Sequence, residues 1–217
     1  MMAKKFDRSL IPPAPDFAFE GVQWARGLQY VAGVDEAGRG ALAGPVAAAA
    51  LIFPPDEDLI PGLQGVRDSK QMTPRAREDW AERLPGIALA CGVGFASPGE
   101  IDDLGIVPAT RLAMARALDN LSLSPQYLLI DYVELPEYEI SQEPLVKGDA
   151  RSMSISAASI LAKTARDTCM RDLDAVYPGY GFIKNKGYGT VAHRDALVRL
   201  GPCPIHRTTF KGVRERG

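Results

Sequence analysis

Four carboxylates stand at, or just after, the ends of short apolar runs in this sequence. Asp35 and Glu36 close YVAGVDE, Asp131 closes YLLID, and Asp149 follows Leu145–Val146. Strands hold side chains rigidly, and catalytic groups favour strand ends and the loops that follow them. We therefore expect these acids to converge at one edge of a sheet. Separate surface acids that cap turns are the alternative.

A convergent cluster of acids would favour bound divalent cations, because like charges held close together cannot all stay ionised. Mg²⁺ and Mn²⁺ take oxygen ligands, and two ions about 3.5–4 Å apart can stabilise both the attacking and the leaving oxygen of a phosphodiester displacement. Directly after the acid pair, Arg39 stands between Gly38 and Gly40. Glycines allow close approach of a ligand and Arg pairs with phosphate, although a plain hairpin turn can have the same residues.

The elements that must position these residues follow from the apolar periodicity. Short apolar runs predict strands at 30–35, 46–53, 87–96 and 127–131. Capping residues and apolar spacing predict helices at 73–84, 108–121 and 155–176. This order of elements predicts an α/β chain with a mixed sheet flanked by helices.

The average charge of the chain hides two opposite parts. The 217 residues include 25 Lys and Arg against 27 Asp and Glu, a net charge of −2 that excludes a histone-like polycation. From Lys184 to Gly217 there are eight basic and two acidic residues, so the first 183 residues hold 17 basic and 25 acidic ones. An acidic body with a basic end remains compatible with a nucleic-acid substrate.

The cysteine content and the apolar runs of the sequence indicate the cellular compartment and the number of domains. Three cysteines without a CxxC motif indicate reduced thiols rather than a structural zinc site. The start of the chain lacks the apolar core of a signal peptide, and the run from Gly40 to Pro55 is too short and interrupted to span a membrane. We expect a cytoplasmic protein with a loose, proline-containing arm at 1–25 and one domain at 26–217.

The chain resembles bacterial ribonuclease HII from about Tyr30 to Phe210. The matching blocks are GVDEAGRGALAGPV (33–46), DSK (68–70), LLID (128–131), VKGD (146–149), ISAASILAKTARD (155–167), YGFIKNKGYGT (180–190) and HRTTF (206–210). This resemblance implies a ribonuclease-H-like fold with a mixed five-stranded sheet flanked by helices and a helical C-terminal extension. It also implies an endonuclease that uses Mg²⁺ or Mn²⁺, hydrolyses the RNA strand of RNA–DNA hybrids, and incises 5′ to single ribonucleotides embedded in duplex DNA.

The resemblance also implies a role for each matched residue. The family's metal-binding catalytic carboxylates match Asp35, Glu36, Asp131 and Asp149. The loop that reads the ribose 2′-hydroxyl matches Gly38, Arg39 and Gly40, and the aromatic residue that packs on the ribonucleotide matches Tyr188. Hydrolysis by water would leave 3′-hydroxyl and 5′-phosphate ends. We expect the enzyme to be a monomer.

Several residues near these motifs have two interpretations. Lys70 and Lys147 flank the site loops and can contact phosphates, although solvated lysines are commoner. Asp167 can lie behind the metal site, or it can belong to a solvent-facing strip of α-helical residues together with Ser156, Ser159 and Lys163. Capping or packing explains His193 as well as chemistry does.

Two positions depart from the family pattern. Tyr132 stands where the family usually has Gly, and Gln71–Met72 stands where Lys–Leu is common. Two other functions also remain open: a related two-metal nuclease for branched DNA or long hybrids only, and a non-catalytic nucleic-acid-binding module that uses the basic C-terminal segment.

Overall fold

A five-stranded mixed sheet organises residues 6–213, the part of the chain that the computed structural model describes. The strands are β1 (Val31–Ala37), β2 (Val46–Ile52), β3 (Ala90–Ala96), β4 (Tyr127–Asp131) and β5 (Gln142–Leu145). Their order is β3-β2-β1-β4-β5. The first three strands are antiparallel neighbours, whereas β4 runs parallel to both β1 and β5. The predicted mixed α/β sheet is therefore confirmed.

Four of the five strands follow the predicted apolar runs. β3 begins at Ala90, three residues later than predicted, because 87–89 continue the turn after the preceding helix. The residue pattern did not reveal β5, since the sequence QEPL lacks alternating apolar residues. Pro144 fits this position because β5 lies at the sheet edge, where a missing backbone donor is tolerated.

Helices cover both faces of the sheet. They are α1 (Ala18–Trp24), α2 (Pro74–Arg83), α3 (Pro98–Leu104), α4 (Ile106–Asp119), α5 (Met153–Val176), α6 (Phe182–Asn185) and α7 (Val191–Leu200). Thr73 Oγ1 accepts a hydrogen bond from Ala76 N at 3.2 Å and caps α2 as predicted. One face of the sheet packs on α4 and the other on α5 and α2.

The first ten residues of α5 are buried on every side, from Met153 to Ala162. The sheet covers one side of this helix, while α2 and the turn Ser69–Gln71 cover another. The solvent-facing interpretation is therefore wrong for Ser156 and Ser159, which are 0% and 2% exposed. The predicted apolar stripe also fails at its end, where Val176 is 64% exposed because the helix extends beyond the sheet.

The expectation of a loose arm at 1–25 is wrong for the residues around α1. Glu20 is fully buried and accepts hydrogen bonds from Ser152 Oγ at 2.6 Å and Ser154 N at 2.8 Å. These donors stand at the N-terminus of α5, where unpaired backbone N–H groups favour a carboxylate. Phe17, 2% exposed, packs into the core beside them. Residues 1–5 lie outside the described part of the chain.

The C-terminal segment folds back onto the body of the protein. Arg207 is fully buried, and Thr208 and Thr209 each donate backbone and hydroxyl hydrogen bonds to the Asp102 carboxylate, at 2.7 to 3.0 Å. Asp102 therefore anchors the residues that follow Arg207 to α3. The last four residues lie outside the described range.

Two exclusions made from the sequence can be compared with the fold. Cys91, Cys169 and Cys203 are all free thiols. Among residues 6–213, no helix combines the length and the apolar character that crossing a membrane requires.

Gly33 allows α5 to approach β1 closely, which gives a test of this packing. A Cβ atom on Gly33 would lie 2.2 Å from the backbone carbon of Ser154. Gly33→Ala should lower the free energy of unfolding by about 1–3 kcal/mol or more, because it forces the helix off the sheet. Urea unfolding measures this loss. Gly62→Ala is the matched control, since its Cβ would meet no atom within 4 Å, and an equal loss in both variants would contradict the packing argument.

Candidate active site

Three of the predicted carboxylates converge at one edge of the sheet. Val34 of β1 pairs with Ile130 of β4, so Asp35 and Asp131 follow side by side on adjacent parallel strands. Asp149 lies in the 3-10 turn Gly148–Ala150, just after β5. Each of these three acids offers an oxygen within 4.8 Å of the other two, a group that can hold a metal ion.

Local hydrogen bonds orient these side chains. Asp35 Oδ1 accepts from the backbone N of Glu36 at 2.7 Å, and Asp131 Oδ1 accepts from Gly148 N at 2.8 Å. Glu36 lies next to the triad and forms an ion pair with Arg39, whose Nη1 is 3.2 Å from Glu36 Oε1. The fourth predicted acid is therefore beside the cluster and held by the glycine-flanked arginine.

The electrostatics of the cluster favour a bound cation. Burial, and then the charges of Glu36, Asp131 and Asp149, raise the pKa of Asp35 well above its usual value. Burial also raises the pKa of Glu36 and that of Asp131. Two buried oxygens, Asp149 Oδ1 and Glu36 Oε2, have no hydrogen-bond partner among the described residues. Unpartnered carboxylate oxygens in a shared acidic pocket fit an Mg²⁺ or Mn²⁺ ion.

Lys70 supplies a local positive charge. Its Nζ lies 3.3 Å from Asp149 Oδ2. The lysine stands on the turn Ser69–Gln71, where Asp68 Oδ1 accepts from Lys70 N at 2.9 Å and Ser159 Oγ accepts from Ser69 N at 3.2 Å. The buried serine of α5 thus helps to hold this turn beside the acidic cluster.

The two departures from the family pattern lie next to these residues. Tyr132 follows Asp131 with φ of 65°, a left-handed conformation that Gly adopts freely and that costs another residue about 1–2 kcal/mol. Tyr132 therefore adopts the same left-handed turn that Gly would, at this cost in backbone strain. Gln71 Nε2 lies 3.3 Å from Asp68 Oδ2, so this side chain contacts the turn that presents Lys70.

Arg166 holds the segment that follows the acid pair. This guanidinium is fully buried and donates to the carbonyls of Pro45, Ala43 and Lys186 at 2.8, 3.1 and 2.9 Å. Gly38 lies directly against it, since a Cβ there would be 1.9 Å from Arg166 Nε. Glycine is therefore required at Gly38, whereas a Cβ on Gly40 would meet nothing within 4 Å.

Tyr188 lies beside the same segment. The carbonyl of Gly187 accepts from the backbone N of Leu42 and Ala43, at 2.8 and 3.2 Å. The Tyr188 ring centroid is 5.4 Å from the guanidinium carbon of Arg166. The residues predicted to contact the ribose, Gly38–Gly40 and Tyr188, are thus braced by one buried arginine.

The burial of Arg166 and Arg207 was not expected from the sequence. Arg207 Nε donates to Gly44 O at 3.0 Å and its Nη1 donates to Arg39 O at 2.8 Å. Residue type alone favours exposure for arginine. The only signal was that Arg166 and Arg207 fall inside motif blocks and not in loops between them.

Two other predicted site residues do not contact the cluster. Lys147 is exposed, and none of the hydrogen bonds described within 6–213 joins its side chain to the acids. Asp167 pairs with Arg77 at 3.1 Å and with Lys163. Its partners are cations of α2 and α5, so its contacts do not support a place behind the metal site.

Comparisons with known proteins agree with this geometry. The Ribonuclease HII family model matches residues 32–213. The chain is 53% identical over 201 residues to ribonuclease HII of Synechococcus sp. strain JA-3-3Ab, covering 93% of this chain and 90% of that protein. It is 48% identical over 210 residues to ribonuclease HII of Geobacter sulfurreducens, and the match covers 97% of this chain and 94% of that protein. The chain belongs to the ribonuclease HII family.

Solved structures of the ribonuclease H class share the fold. Ribonuclease H2 from Pyrococcus horikoshii superposes with a TM-score of 0.71 at 31% identity, covering 85% of this chain and 95% of that one. The structure of the PCNA:RNase HII complex from Archaeoglobus fulgidus gives a TM-score of 0.68 at 25% identity. The match covers 86% of this chain and 98% of that one.

Membership of the ribonuclease HII family decides the class of activity. The chain is a metal-dependent endonuclease of ribonuclease H type 2, from a family that acts on RNA–DNA hybrids. A non-catalytic nucleic-acid-binding module is therefore wrong. The ribonuclease-H-like fold with a helical C-terminal region is confirmed.

Repulsion within the acidic cluster predicts a pH-dependent cost of folding. Because the pKa of Asp35 is raised, the folded chain keeps a proton that the unfolded chain releases above about pH 4. The stability that this proton contributes is lost as pH rises from there through the folded pKa. In EDTA, Asp35→Asn should increase the free energy of unfolding by on the order of 1–3 kcal/mol and thereby raise the Tm, because it removes the cost of a buried charge, and the gain should grow as the pH rises above about 4.

Thermal unfolding with and without metal checks this expectation. Added Mg²⁺ should shrink or reverse the advantage of Asp35→Asn, because only the intact cluster gains stability by binding the ion. Asp103→Asn, at an exposed position of α3, is the control and should show neither effect. A constant Tm difference across the pH range would contradict the repulsion argument.

Proposed function

We propose that this enzyme incises duplex DNA on the 5′ side of single embedded ribonucleotides, as well as the RNA strand of RNA–DNA hybrids, by two-metal-ion hydrolysis. The observation that carries the proposal is the position of the acidic cluster next to a segment built to approach a ribose. Gly38–Gly40 follows Glu36 directly, and the Gly187 carbonyl ties the Tyr188 segment to Leu42 and Ala43.

The carboxylates of Asp35, Glu36, Asp131 and Asp149 would hold the ions. Bound Mg²⁺ or Mn²⁺ would supply an activated water and offset the negative charge that develops on the phosphodiester. The protein contributes a preorganised cluster, since backbone N–H groups already orient Asp35 and Asp131. Lys70 offsets part of the acidic charge at Asp149. In the proposed step, water attacks the phosphorus and the bond from phosphorus to the 3′ oxygen breaks, so that oxygen leaves as a 3′-hydroxyl and the phosphate stays on the 5′ end of the downstream strand.

Recognition of the ribonucleotide would depend on the loop and the ring. The 2′-hydroxyl is the group that distinguishes RNA from DNA locally, and backbone groups at close approach can test for it. Gly40, beside which no atom lies within 4 Å of a Cβ position, leaves this approach open, while Arg39, partly exposed, can meet the neighbouring phosphate. Tyr188 offers a ring that can pack on the sugar.

We also propose that the enzyme acts as a monomer in the cytoplasm. All of the proposed metal-binding and ribose-contacting residues come from a single chain, which supports a monomeric site. Three free cysteines suit a reducing compartment.

An incision assay tests the proposed reaction. A duplex with one ribonucleotide should be cut 5′ to it in Mg²⁺ or Mn²⁺ and stay intact in EDTA. Replacing residues that merely orient metal ligands typically costs 10–100-fold, so Asp131→Asn should lose more than about 100-fold while hybrid binding survives. Asp103→Asn should retain full activity. A folded wild-type protein that leaves this duplex intact would rule out the proposal.

Tyr188 variants separate this reaction from cleavage of long hybrids only. Stacking on an aromatic ring contributes about 1–3 kcal/mol, so Tyr188→Ala should lower kcat/KM for the single-ribonucleotide duplex by about 5- to 150-fold. Continuous hybrids should be affected less, since they offer several ribose contacts. Tyr188→Phe keeps the ring and should stay close to wild type. Equal losses on both substrates would count against a role in sensing single ribonucleotides.

A further inference from the structure

A buried hydrogen-bond relay joins both histidines of the chain to the backbone of Tyr188. His193 and His206 are 0% and 1% exposed, and their Nε2 atoms lie 3.0 Å apart. At the opposite ring positions, His193 Nδ1 is 3.0 Å from the Tyr188 carbonyl oxygen, and His206 Nδ1 is 2.9 Å from Cys203 N. The proposed metal chemistry uses neither imidazole.

The partners at the two ends of the relay determine the tautomers. A carbonyl only accepts, so His193 Nδ1 must carry a proton. Burial lowers the pKa of His193, and lowers the pKa of His206 to about 4, so both rings are neutral at neutral pH. His193 Nε2 therefore accepts from His206 Nε2–H, and His206 Nδ1 accepts from the N–H of Cys203. Each ring nitrogen then has a partner. In each of these hydrogen bonds the donor is the group farther along the relay from Tyr188, and the acceptor is the group nearer to it.

The surroundings of the two rings support this neutral arrangement. Tyr180 and Phe182 pack on His206 with centroid distances of 5.0 and 5.7 Å. The titratable groups that face the imidazoles are Tyr180 and Cys203, and burial raises the pKa of both. In residues 6–213, no charged side chain hydrogen-bonds to either ring. A proton added to His193 Nε2 would face the His206 Nε2–H across 3.0 Å, and a proton added to His206 Nδ1 would face the backbone N–H of Cys203 across 2.9 Å.

The relay also reaches the segment behind the glycine-flanked arginine. His206 forms an antiparallel bridge with Ala43, and the backbone N of Arg207 donates to Leu42 O at 2.9 Å. His206 is therefore tied through its backbone to the residues that follow Gly40, and through its ring toward Tyr188.

Tyr188 needs this external support because glycines flank it on both sides. Gly187 and Gly189 give the local backbone little stiffness of its own. The Tyr188 carbonyl accepts from Thr190 N at 2.8 Å, a contact within the same turn, and from His193 of α7. Of these two hydrogen bonds, only the one from the imidazole connects the carbonyl to the buried C-terminal segment.

We propose that His193 and His206 are positioning residues for Tyr188, whose hydrogen-bond relay sets the place of the ring relative to the Gly38–Gly40 loop and thereby the selectivity for single ribonucleotides. This inference rests on the proposed function, in which Tyr188 contacts the ribonucleotide. Neither histidine touches substrate, and both act through the backbone that they hold.

Nitrogen NMR of the wild-type protein tests the relay without any activity measurement. With two histidines in the chain, one variant assigns both sets of signals. At neutral pH, His193 should be the Nδ1–H tautomer and His206 the Nε2–H tautomer, both uncharged. The reverse tautomers, or a charged imidazole at neutral pH, would overturn the relay even if the enzyme proves fully selective.

Variants test the effect on selectivity, measured as the ratio of kcat/KM for the single-ribonucleotide duplex to kcat/KM for a continuous hybrid. His193→Gln moves the amide away from Tyr188 and should lower this ratio by about 3- to 10-fold, as expected for one lost hydrogen bond. His193→Asn keeps a donor near the Nδ1 position and should retain the ratio within about twofold. An unchanged ratio in His193→Gln would overturn the proposal.

Two further variants separate positioning from general destabilisation. Phe182→Leu disturbs the packing of both rings without removing a relay hydrogen bond, so it should lower the Tm and leave the ratio unchanged. In a Tyr188→Ala background, His193→Gln should have no further effect on the ratio, because the residue it acts through is gone. A drop in the ratio in either case would mean that the histidines act by bulk stability.

The same measurements distinguish failure of the inference from failure of the proposed function. A wild-type enzyme that cuts continuous hybrids but not single ribonucleotides would refute the proposed function, while the tautomers would still decide whether the relay exists. A wild-type enzyme that depends on Tyr188 for selectivity but not on His193 would refute the inference alone.

Discussion

The mutual repulsion of carboxylates at the edge of one sheet is the constraint on which the rest of the site depends. Asp35, Asp131 and Asp149 come from three separate segments, and parallel pairing of β1 with β4 and β4 with β5 brings them together. Burial makes their charges expensive, and Lys70 offsets them only in part. The folded chain therefore carries an electrostatic cost that a divalent ion relieves, which links stability to the chemistry of a metal-dependent nuclease.

Two buried arginines fix the conformation of the loops beside the acidic cluster, which have to stay accessible to a ligand. Arg166 and Arg207 donate to backbone carbonyls of the segments around Gly38–Gly40 and Tyr188. A guanidinium offers five donors in a fixed plane, so one side chain can join several segments that lack regular secondary structure. These two arginines explain why glycine-rich segments, which are flexible by composition, adopt one defined arrangement.

In the folded protein, some charged residues of the acidic body and of the basic C-terminal segment are buried and have structural roles. Arg207, one of the basic residues of the segment that begins at Lys184, is buried and donates to backbone carbonyls, so its charge does not contribute to a phosphate-binding surface. The N-terminal region likewise contributes structure, since Glu20 binds the N-terminus of α5 directly after the turn that carries Asp149. Charged residues near both ends of the chain, Glu20 and Arg207, thus hold in place the segments that carry proposed site residues.

The sequence by itself determined the α/β class, four of the five strands, the main helices and the position of Asp35, Asp131 and Asp149 at strand ends, because apolar periodicity and motif spacing are local signals. It did not reveal β5, whose four residues are placed by pairing with β4, or the docking of α1 through Glu20. Only the tertiary structure decided that Ser159 is buried, that Asp167 pairs with Arg77, and that His193 and His206 meet Tyr188. Such contacts join residues far apart in the chain, and for a polar side chain burial depends on which distant partners surround it.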